Sequence, residues 1–127
     1  TISLIAPAIA MGNRVVLIPS QRYAGVALEL VQTLETSDIP PGVINIVTGN
    51  KGELAEQLAG HAEVDGVWCW SDDETVSKVE VTSAADLKRL WVHQEGDRGW
   101  LDPQQGEGLE FLRNATEVKN IWTPYGD

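Results

Sequence analysis

Apolar runs of two different periods alternate along the first ninety residues, and this alternation restricts the fold more than any other feature. Ile2–Met11 has the apolar density of a buried helix, and Gly12-Asn13 after it is a common C-terminal pair. Val15–Ile18 is a short, mainly β-branched apolar run that Pro19 ends, which is typical of a strand buried on both faces. A helix followed closely by such a strand predicts a layered α/β fold.

The same two patterns recur further along the chain. Three more strands are predicted, at Val43–Val47, Val64–Trp70 and Leu87–Val92. Helical stripes lie between them, and Ser71 with Glu74 has the spacing of a capping box that opens one of these helices. This alternation predicts a doubly wound, mainly parallel Rossmann-like sheet with flanking helices.

The residue composition changes after Gly96. Residues 97–108 are polar and rich in Gly, Pro and Gln, which is typical of a linker or loop. Residues 109–127 begin with one predicted helical turn and continue into a predicted final strand, Thr116–Thr123. The expected organisation is therefore a Rossmann-like domain at 1–96, a linker at 97–108 and a C-terminal segment with an assembly strand at 109–127.

Charge and cysteine content exclude several classes of function. The net charge is -10 over 127 residues, with -2 in residues 1–60 and -8 in residues 61–127. An acidic surface repels phosphate backbones and anionic lipid, so we expect neither nucleic acid nor membrane as a partner. Cys69 is the single cysteine, which excludes an internal disulfide and a cysteine-based zinc site and fits a reducing, cytoplasmic compartment.

The first eleven residues indicate whether the chain starts with a signal peptide and whether it is part of a longer polypeptide. The first eleven residues are apolar but have neither a charged leader nor a cleavage pattern, so they do not indicate a signal peptide. Their helical pattern begins without a capping residue. We therefore expect the chain to be part of a longer polypeptide.

Three segments, Ile5–Gln21, Ile39–Gly49 and His61–Val67, carry motifs at a fixed spacing, and together they resemble the aldehyde dehydrogenase superfamily. Ile5–Gln21 is similar to the entry of its cofactor domain, where a helix ends in Gly-Asn and a strand runs into a Lys-Pro-Ser-Glu turn. Ile39–Gly49, Ile-Pro-Pro-Gly-Val-Ile-Asn-Ile-Val-Thr-Gly, is similar to the family's Pro-Pro-Gly-Val-x-Asn-x-Val-x-Gly segment. His61–Val67 is similar to its His-Pro-x-Val-Asp-x-Val segment. The resemblance implies a Rossmann-like domain over roughly the first 70 residues.

The cofactor positions that the resemblance implies are degenerate. Ile18 and Gln21 stand where the family has the Lys and Glu that hold the ribose, which leaves Ser20 and Gln21 as weak candidates. The family's Gly-Ser-x-x-x-Gly turn aligns with Ser71–Val76, where both glycines are missing and Asp72 begins an acidic run. We expect no cofactor, and a vestigial domain that still binds NAD(P) is the alternative.

No catalytic or metal-ligating residue is expected. Leu87-Lys88-Arg89 resembles the family's Leu-Lys-Arg, and counting on places His93 at the position of its general base. Cys69 is not equivalent to the nucleophile. It lies between Trp68 and Trp70 in a predicted strand, and an apolar environment raises the pKa of a thiol. Further along, the catalytic domain of the family has no counterpart in this sequence.

The C-terminal segment has its own resemblance. Gly108–Lys119 is similar to the last strand of the family, which takes part in subunit association. A cofactor-domain half joined to a terminal strand resembles the abbreviated C-terminal region of aldehyde dehydrogenase family 16. This implies a non-catalytic domain that supports an attached dehydrogenase, with its own polypeptide or a second copy as partner.

The candidate interface residues are Trp100, Val118, Lys119 and Trp122. The two tryptophans lie beside loops and the terminal segment, where aromatic side chains are enriched at interfaces, and Val118 and Lys119 lie in the predicted assembly strand. The remaining alternative is a protein–protein docking module that uses the acidic half of the chain.

Overall fold

The structure, a computed structural model, describes residues 1–125, so the last two residues of the segment predicted at 109–127 lie outside the described part. The helices are α1 (Ile2–Ala10), α2 (Ala24–Glu35), α3 (Lys51–Ala59), α4 (Asp73–Ser83), α5 (Pro103–Gly106) and α6 (Leu109–Asn114). The strands are β1 (Val15–Leu17), β2 (Ile44–Ile46), β3 (Gly66–Ser71) and β4 (Arg89–Gln94). Short 3₁₀ turns at Gln21–Tyr23 and Ala84–Asp86 complete the order.

The strands pair in parallel, as the alternation predicted. β1 pairs with β2 from Val15↔Ile44 to Leu17↔Ile46, and β3 pairs with β4 from Gly66↔Arg89 to Ser71↔Gln94. Within residues 1–125 the two pairs are separate two-stranded ladders. The mainly parallel, Rossmann-like α/β class with flanking helices is confirmed, and its hydrogen-bonded ladder is divided into two parts.

One face of β3–β4 packs on α3 and α4 through small side chains. The cluster is formed by Ala55, Ala59, Cys69 and Val79, all buried, with Val67, Val92 and Ile18 packed against it. Alternate residues of a strand point to opposite faces, which is why Val67 and Cys69 lie here while their neighbours do not. Small residues on α3 let the helix approach the strands closely.

The other face of β3–β4 is aromatic. Trp68 and Trp91 meet edge to face at 5.0 Å between ring centroids, and Phe111 of α6 packs against both. Phe111 is only 1% exposed. Residues 97–115, here called the strap, therefore cover this face, although their first part was predicted as a polar linker.

The strap contains one helical turn that the polar composition concealed. Asp102 caps α5 by accepting a hydrogen bond from Gln104 N, and Pro103 occupies the first helical position. Asp-Pro is a good local start signal for a helix. A second anchor ties the end of the strap to the N-terminal part, since Asn13 Nδ2 donates to the carbonyls of Ala8 and Ala115 at 3.0 and 2.8 Å.

The predicted strand Thr116–Thr123 is wrong for the isolated chain. Residues 116–125, here called the arm, contain neither helix nor strand. From Glu117 to Tyr125 every residue of the arm is exposed, its apolar side chains included.

Two local predictions also need correction. β4 begins at Arg89 instead of Leu87, because Leu87 adopts a left-handed conformation, with φ of 54°, after the 3₁₀ turn. The capping box predicted at Ser71 and Glu74 is not formed. β3 continues through Ser71, so the cap moves one residue on to Asp72.

No helix among residues 1–125 is long and apolar enough to cross a membrane.

Candidate functional site

The residues singled out from the cofactor resemblance lie where β1 and β3 end. In parallel α/β sheets, ligands bind beyond the carboxyl ends of the strands. Ile18 follows β1, and Ser71 is the last residue of β3.

The residues that follow β1 provide few polar groups that could bind a ligand. Ile18 is half-buried and packs against the apolar cluster on α3 and α4, so its side chain is part of the core. Ser20 and Gln21 are exposed at the start of the 3₁₀ turn, and neither side chain makes a hydrogen bond within residues 1–125.

On the β3 side, the Asp72 carboxylate occupies the turn that follows the strand. Asp72 Oδ1 accepts from Thr75 N at 3.0 Å, and Oδ2 accepts from the hydroxyls of Thr75 and Ser71 at 3.0 and 3.1 Å. The backbone hydrogen bond from Thr75, followed by that from its hydroxyl, lowers the pKa of Asp72 to about 2. Asp73 and Glu74 add two acidic residues to the first turn of α4. A fixed anion therefore occupies the helix N-terminus, which would otherwise favour an anionic ligand.

Cys69 is a core residue. Its side chain is buried in the cluster on α3 and α4, and this burial raises the pKa of the thiol. Lys51 acts in the opposite direction to a smaller extent. Its ammonium group donates to the Trp70 carbonyl at 2.5 Å. Little thiolate forms in such an environment, so the structure brings Cys69 to no reactive position.

His93 lies on the aromatic face, one residue before the end of β4. Its ring stacks on Trp70, with centroids 5.5 Å apart and an angle of 20° between the planes. Cys69 precedes Trp70 on β3 and points to the opposite face, so the sheet separates these two candidates. His93 and Cys69 therefore do not form a base–nucleophile pair.

The candidate interface residues divide into two groups. Trp100 is 37% exposed but contacts Trp70 at 5.0 Å, so it belongs largely to the aromatic face. Val118 and Trp122 are 86% and 93% exposed on the arm. Lys119 is also exposed, and its only ion-pair partner among the described residues is Glu117 at 3.8 Å. The arm thus presents apolar side chains that residues 1–115 do not cover.

Sequence reasoning missed the role of Arg98. Its guanidinium carbon lies 5.1 to 5.9 Å from the centroids of four rings, those of Trp70, Trp91, Trp100 and Phe111. These four rings are here called the aromatic cage. Arg98 is contributed by the polar stretch after Gly96, and no local signal in that stretch distinguishes a buried arginine from a solvated one.

No group of three His, Cys, Asp or Glu side chains in the described part of the chain is placed to hold a metal ion.

A protein-family model described as the aldehyde dehydrogenase family matches residues 1–100, more than half of the sequence. The chain belongs to the aldehyde dehydrogenase family. The matched region contains all four strands together with α1 to α4, so the resemblance in the sequence motifs and the observed fold agree.

Curated aldehyde dehydrogenases are similar over most of the chain. It is 37% identical to 2-aminomuconic semialdehyde dehydrogenase of Bos taurus over 92 residues, which is 72% of this chain and 19% of that protein. It is 42% identical to a chloroplastic betaine aldehyde dehydrogenase of Amaranthus hypochondriacus over 119 residues, 94% of this chain and 24% of that protein.

Solved aldehyde dehydrogenases share the fold. A mutant aldehyde dehydrogenase C of Pseudomonas syringae, solved with NAD+ and octanal, superposes with a TM-score of 0.70 at 31% identity, covering 76% of this chain and 20% of that one. An NAD-dependent aldehyde dehydrogenase of Sinorhizobium meliloti gives 0.68 at 30% identity, with 76% and 19% covered. The chain thus spans about a fifth to a quarter of the length of these aldehyde dehydrogenases.

Proposed function

We propose that this chain is a non-catalytic aldehyde dehydrogenase-like domain. Its role is to support the assembly or stability of an NAD(P)-dependent aldehyde dehydrogenase unit, in the same polypeptide or in an associated subunit. The observation that carries the proposal is the hydrogen bond of Asp72 to Thr75 N, which closes the turn after β3. The parent protein we propose resembles aldehyde dehydrogenase family 16, whose C-terminal aldehyde dehydrogenase-like region is abbreviated.

The closed turn argues against cofactor binding. A dinucleotide needs free backbone amides for its pyrophosphate, and Asp72 already accepts from one of them. Asp73 and Glu74 surround the same helix terminus with negative charge, which repels a phosphate.

The β1 side supports the same conclusion. A ribose needs hydrogen-bonding partners for its hydroxyls, and Ile18 offers none because its side chain packs against the core. Ser20 and Gln21 remain free to make one hydrogen bond each, worth about 1 kcal/mol net. This is far below what a dinucleotide needs for micromolar affinity.

A calorimetric titration with NAD+, NADH, NADP+ and NADPH tests the loss of cofactor binding. We expect no saturable heat at millimolar ligand, while a full-length NAD-binding aldehyde dehydrogenase in the same buffer serves as the positive control. Saturable binding of any of the four would favour the alternative, a vestigial domain that still binds NAD(P).

The supporting role rests on the arm. Val118, Ile121, Trp122 and Tyr125 are between 85% and 104% exposed. Four large apolar side chains in one exposed segment are typical of a segment that packs on another surface. The partner we propose is the attached or associated dehydrogenase unit, against which the arm would become a paired strand.

Deleting residues 116–127 from the longest polypeptide that carries this chain tests the supporting role. The deletion begins after Ala115 because Asn13 holds the Ala115 carbonyl. We expect a lower oligomeric state by light scattering or a lower melting temperature. The exchange of Lys119 for Ala is the matched control, since it leaves the apolar side chains in place. A deletion variant with unchanged assembly and stability would contradict the proposal.

A further inference from the structure

The aromatic cage has the construction of a site for an organic cation. Its walls come from three parts of the chain: Trp70 on β3, Trp91 on β4, and Trp100 and Phe111 on the strap. Neighbouring rings stand steeply to each other, at 76° for Trp70 with Trp91 and for Trp70 with Trp100. Rings in this arrangement enclose a space with their negatively polarised faces, instead of filling it by stacking.

The space is occupied by a cation of the chain itself. The guanidinium carbon of Arg98 lies 5.1 Å from the centroids of Trp91 and Phe111, and somewhat further from the other two rings. A cation within about 6 Å of a ring centroid is attracted by the ring, and the attraction grows when water is excluded. The Arg98 side chain is 11% exposed, so the contact is largely desolvated.

The polar contacts of Arg98 are all made to the strap. Nη1 donates to the Gln105 carbonyl at 2.6 Å, and Nη2 donates to Glu110 Oε2 at 2.9 Å. The strap thus brings Arg98, one carboxylate and two of the four rings to the sheet as one unit. The two tryptophans of the sheet remain as a half-cage whenever the strap is displaced.

We propose that the aromatic cage is a binding site for monovalent organic cations of the quaternary ammonium or guanidinium class, and that Arg98 is its internal ligand. Arg98 closes the site in the described structure, and an external cation enters when Arg98 leaves. Glu110 at the rim holds Arg98 in the cage by accepting a hydrogen bond from Nη2. The net charge of -10 raises the local concentration of cations around the whole domain. This site lies on the face of the sheet opposite Cys69 and is independent of the proposed supporting role.

The test compares the intact chain with Arg98→Ala, using choline as the cation and 3,3-dimethylbutan-1-ol as its neutral isostere. Tryptophan fluorescence reports binding, since three of the four rings are indoles. We expect Arg98→Ala to bind choline at least tenfold more tightly than the intact chain and at least tenfold more tightly than the neutral alcohol. Equal binding of choline and the alcohol would overturn the proposal, because the cavity would then be merely apolar.

A second variant covers the case in which Arg98→Ala is poorly folded. Glu110→Gln keeps the cage and Arg98 and removes only the charge that holds Nη2, so we expect choline affinity between that of the intact chain and that of Arg98→Ala. Choline should also raise the melting temperature of Arg98→Ala in a concentration-dependent manner, since a ligand of the folded state stabilises it. Absence of both effects would overturn the proposal.

Discussion

The two faces of the β3–β4 pair are covered in opposite ways. On one face, α3 and α4 pack through small residues such as Ala59 and Val79, inside the region that matches the aldehyde dehydrogenase family model. On the other, the strap packs large rings around one partly buried arginine, and most of the strap lies beyond residue 100. The family region thus supplies a close helix–sheet contact, while the strap covers its face with few, large side chains. The stability of the face covered by the strap therefore depends on a small number of individual side chains.

The largest expected effect is therefore on the strap face. Phe111→Ala removes a fully buried ring that touches Trp68, Trp91 and Trp100, so we expect a loss of about 3–5 kcal/mol in the free energy of unfolding. Urea denaturation monitored by tryptophan fluorescence measures it. Leu109→Ala, on the same helix but 67% exposed, should change stability by less than about 0.5 kcal/mol. Similar losses in the two variants would show that the strap does not pack as described.

On the face covered by α3 and α4, truncating a single side chain should lower the free energy of unfolding by a smaller amount. Val79→Ala removes two methyl groups from a site with no exposed surface, for which we expect a loss of about 2 kcal/mol. Val81→Ala on the same helix is the control, because Val81 is 77% exposed. If Val79→Ala cost more than Phe111→Ala in the same urea experiment, the contrast between the two faces would be refuted.

The N-terminus of α4 gives a pH-dependent effect. The pKa of Asp72 is lowered to about 2 in the folded chain, against about 3.9 in an unfolded one. Its carboxylate therefore contributes stability at pH values above about 4, and this contribution is lost as the pH falls toward 2. We expect Asp72→Asn to be less stable than the intact chain at pH 6 and to approach it at pH 2.

Thermal unfolding of the two chains across this range measures the difference. Asp73→Asn is the matched control, since it changes the same charge one residue away without removing the cap. A stability difference for Asp72→Asn that stayed constant from pH 6 to pH 2 would contradict the assigned hydrogen bonds.

The smallest expected change is a gain. Leu87 is 91% exposed and adopts a left-handed conformation that costs an L-residue roughly 1–2 kcal/mol. Leu87→Gly relieves this strain and increases the entropy of the unfolded chain, so a net gain of up to about 1 kcal/mol is expected. Leu87→Ala should give no gain. Differential scanning calorimetry distinguishes the two variants, and equal melting temperatures would argue against strain at the start of β4.

The parts of the fold that could be predicted are those with a local cause. Gly12 ends α1 with a positive φ, and the apolar runs predicted all four strands to within two residues at each end. Cys69 was also expected to be buried, because it lies among apolar residues in a predicted strand, and it is buried in the structure. The acidic start of α4 was recognised correctly, although the cap lies at Asp72 instead of Ser71.

The parts that could not be predicted depend on distant contacts. The polar stretch after Gly96 gave no sign that Arg98 would be surrounded by rings, because these rings come from residues 70, 91, 100 and 111. Thr116–Thr123 has the composition of a strand, yet a strand needs a neighbouring edge, and the sequence of one chain does not tell which edge is in reach.

The sequence by itself determined the aldehyde dehydrogenase-type α/β core, because hydrophobic period, glycine and proline act over a few residues and the family motifs are contiguous segments. Only the tertiary structure decided that the strap covers the second face of β3–β4, that Arg98 enters the aromatic cage, and that the arm stays exposed. These outcomes depend on which side chains meet across tens of residues, and the free energy of such contacts is set by burial and geometry in three dimensions.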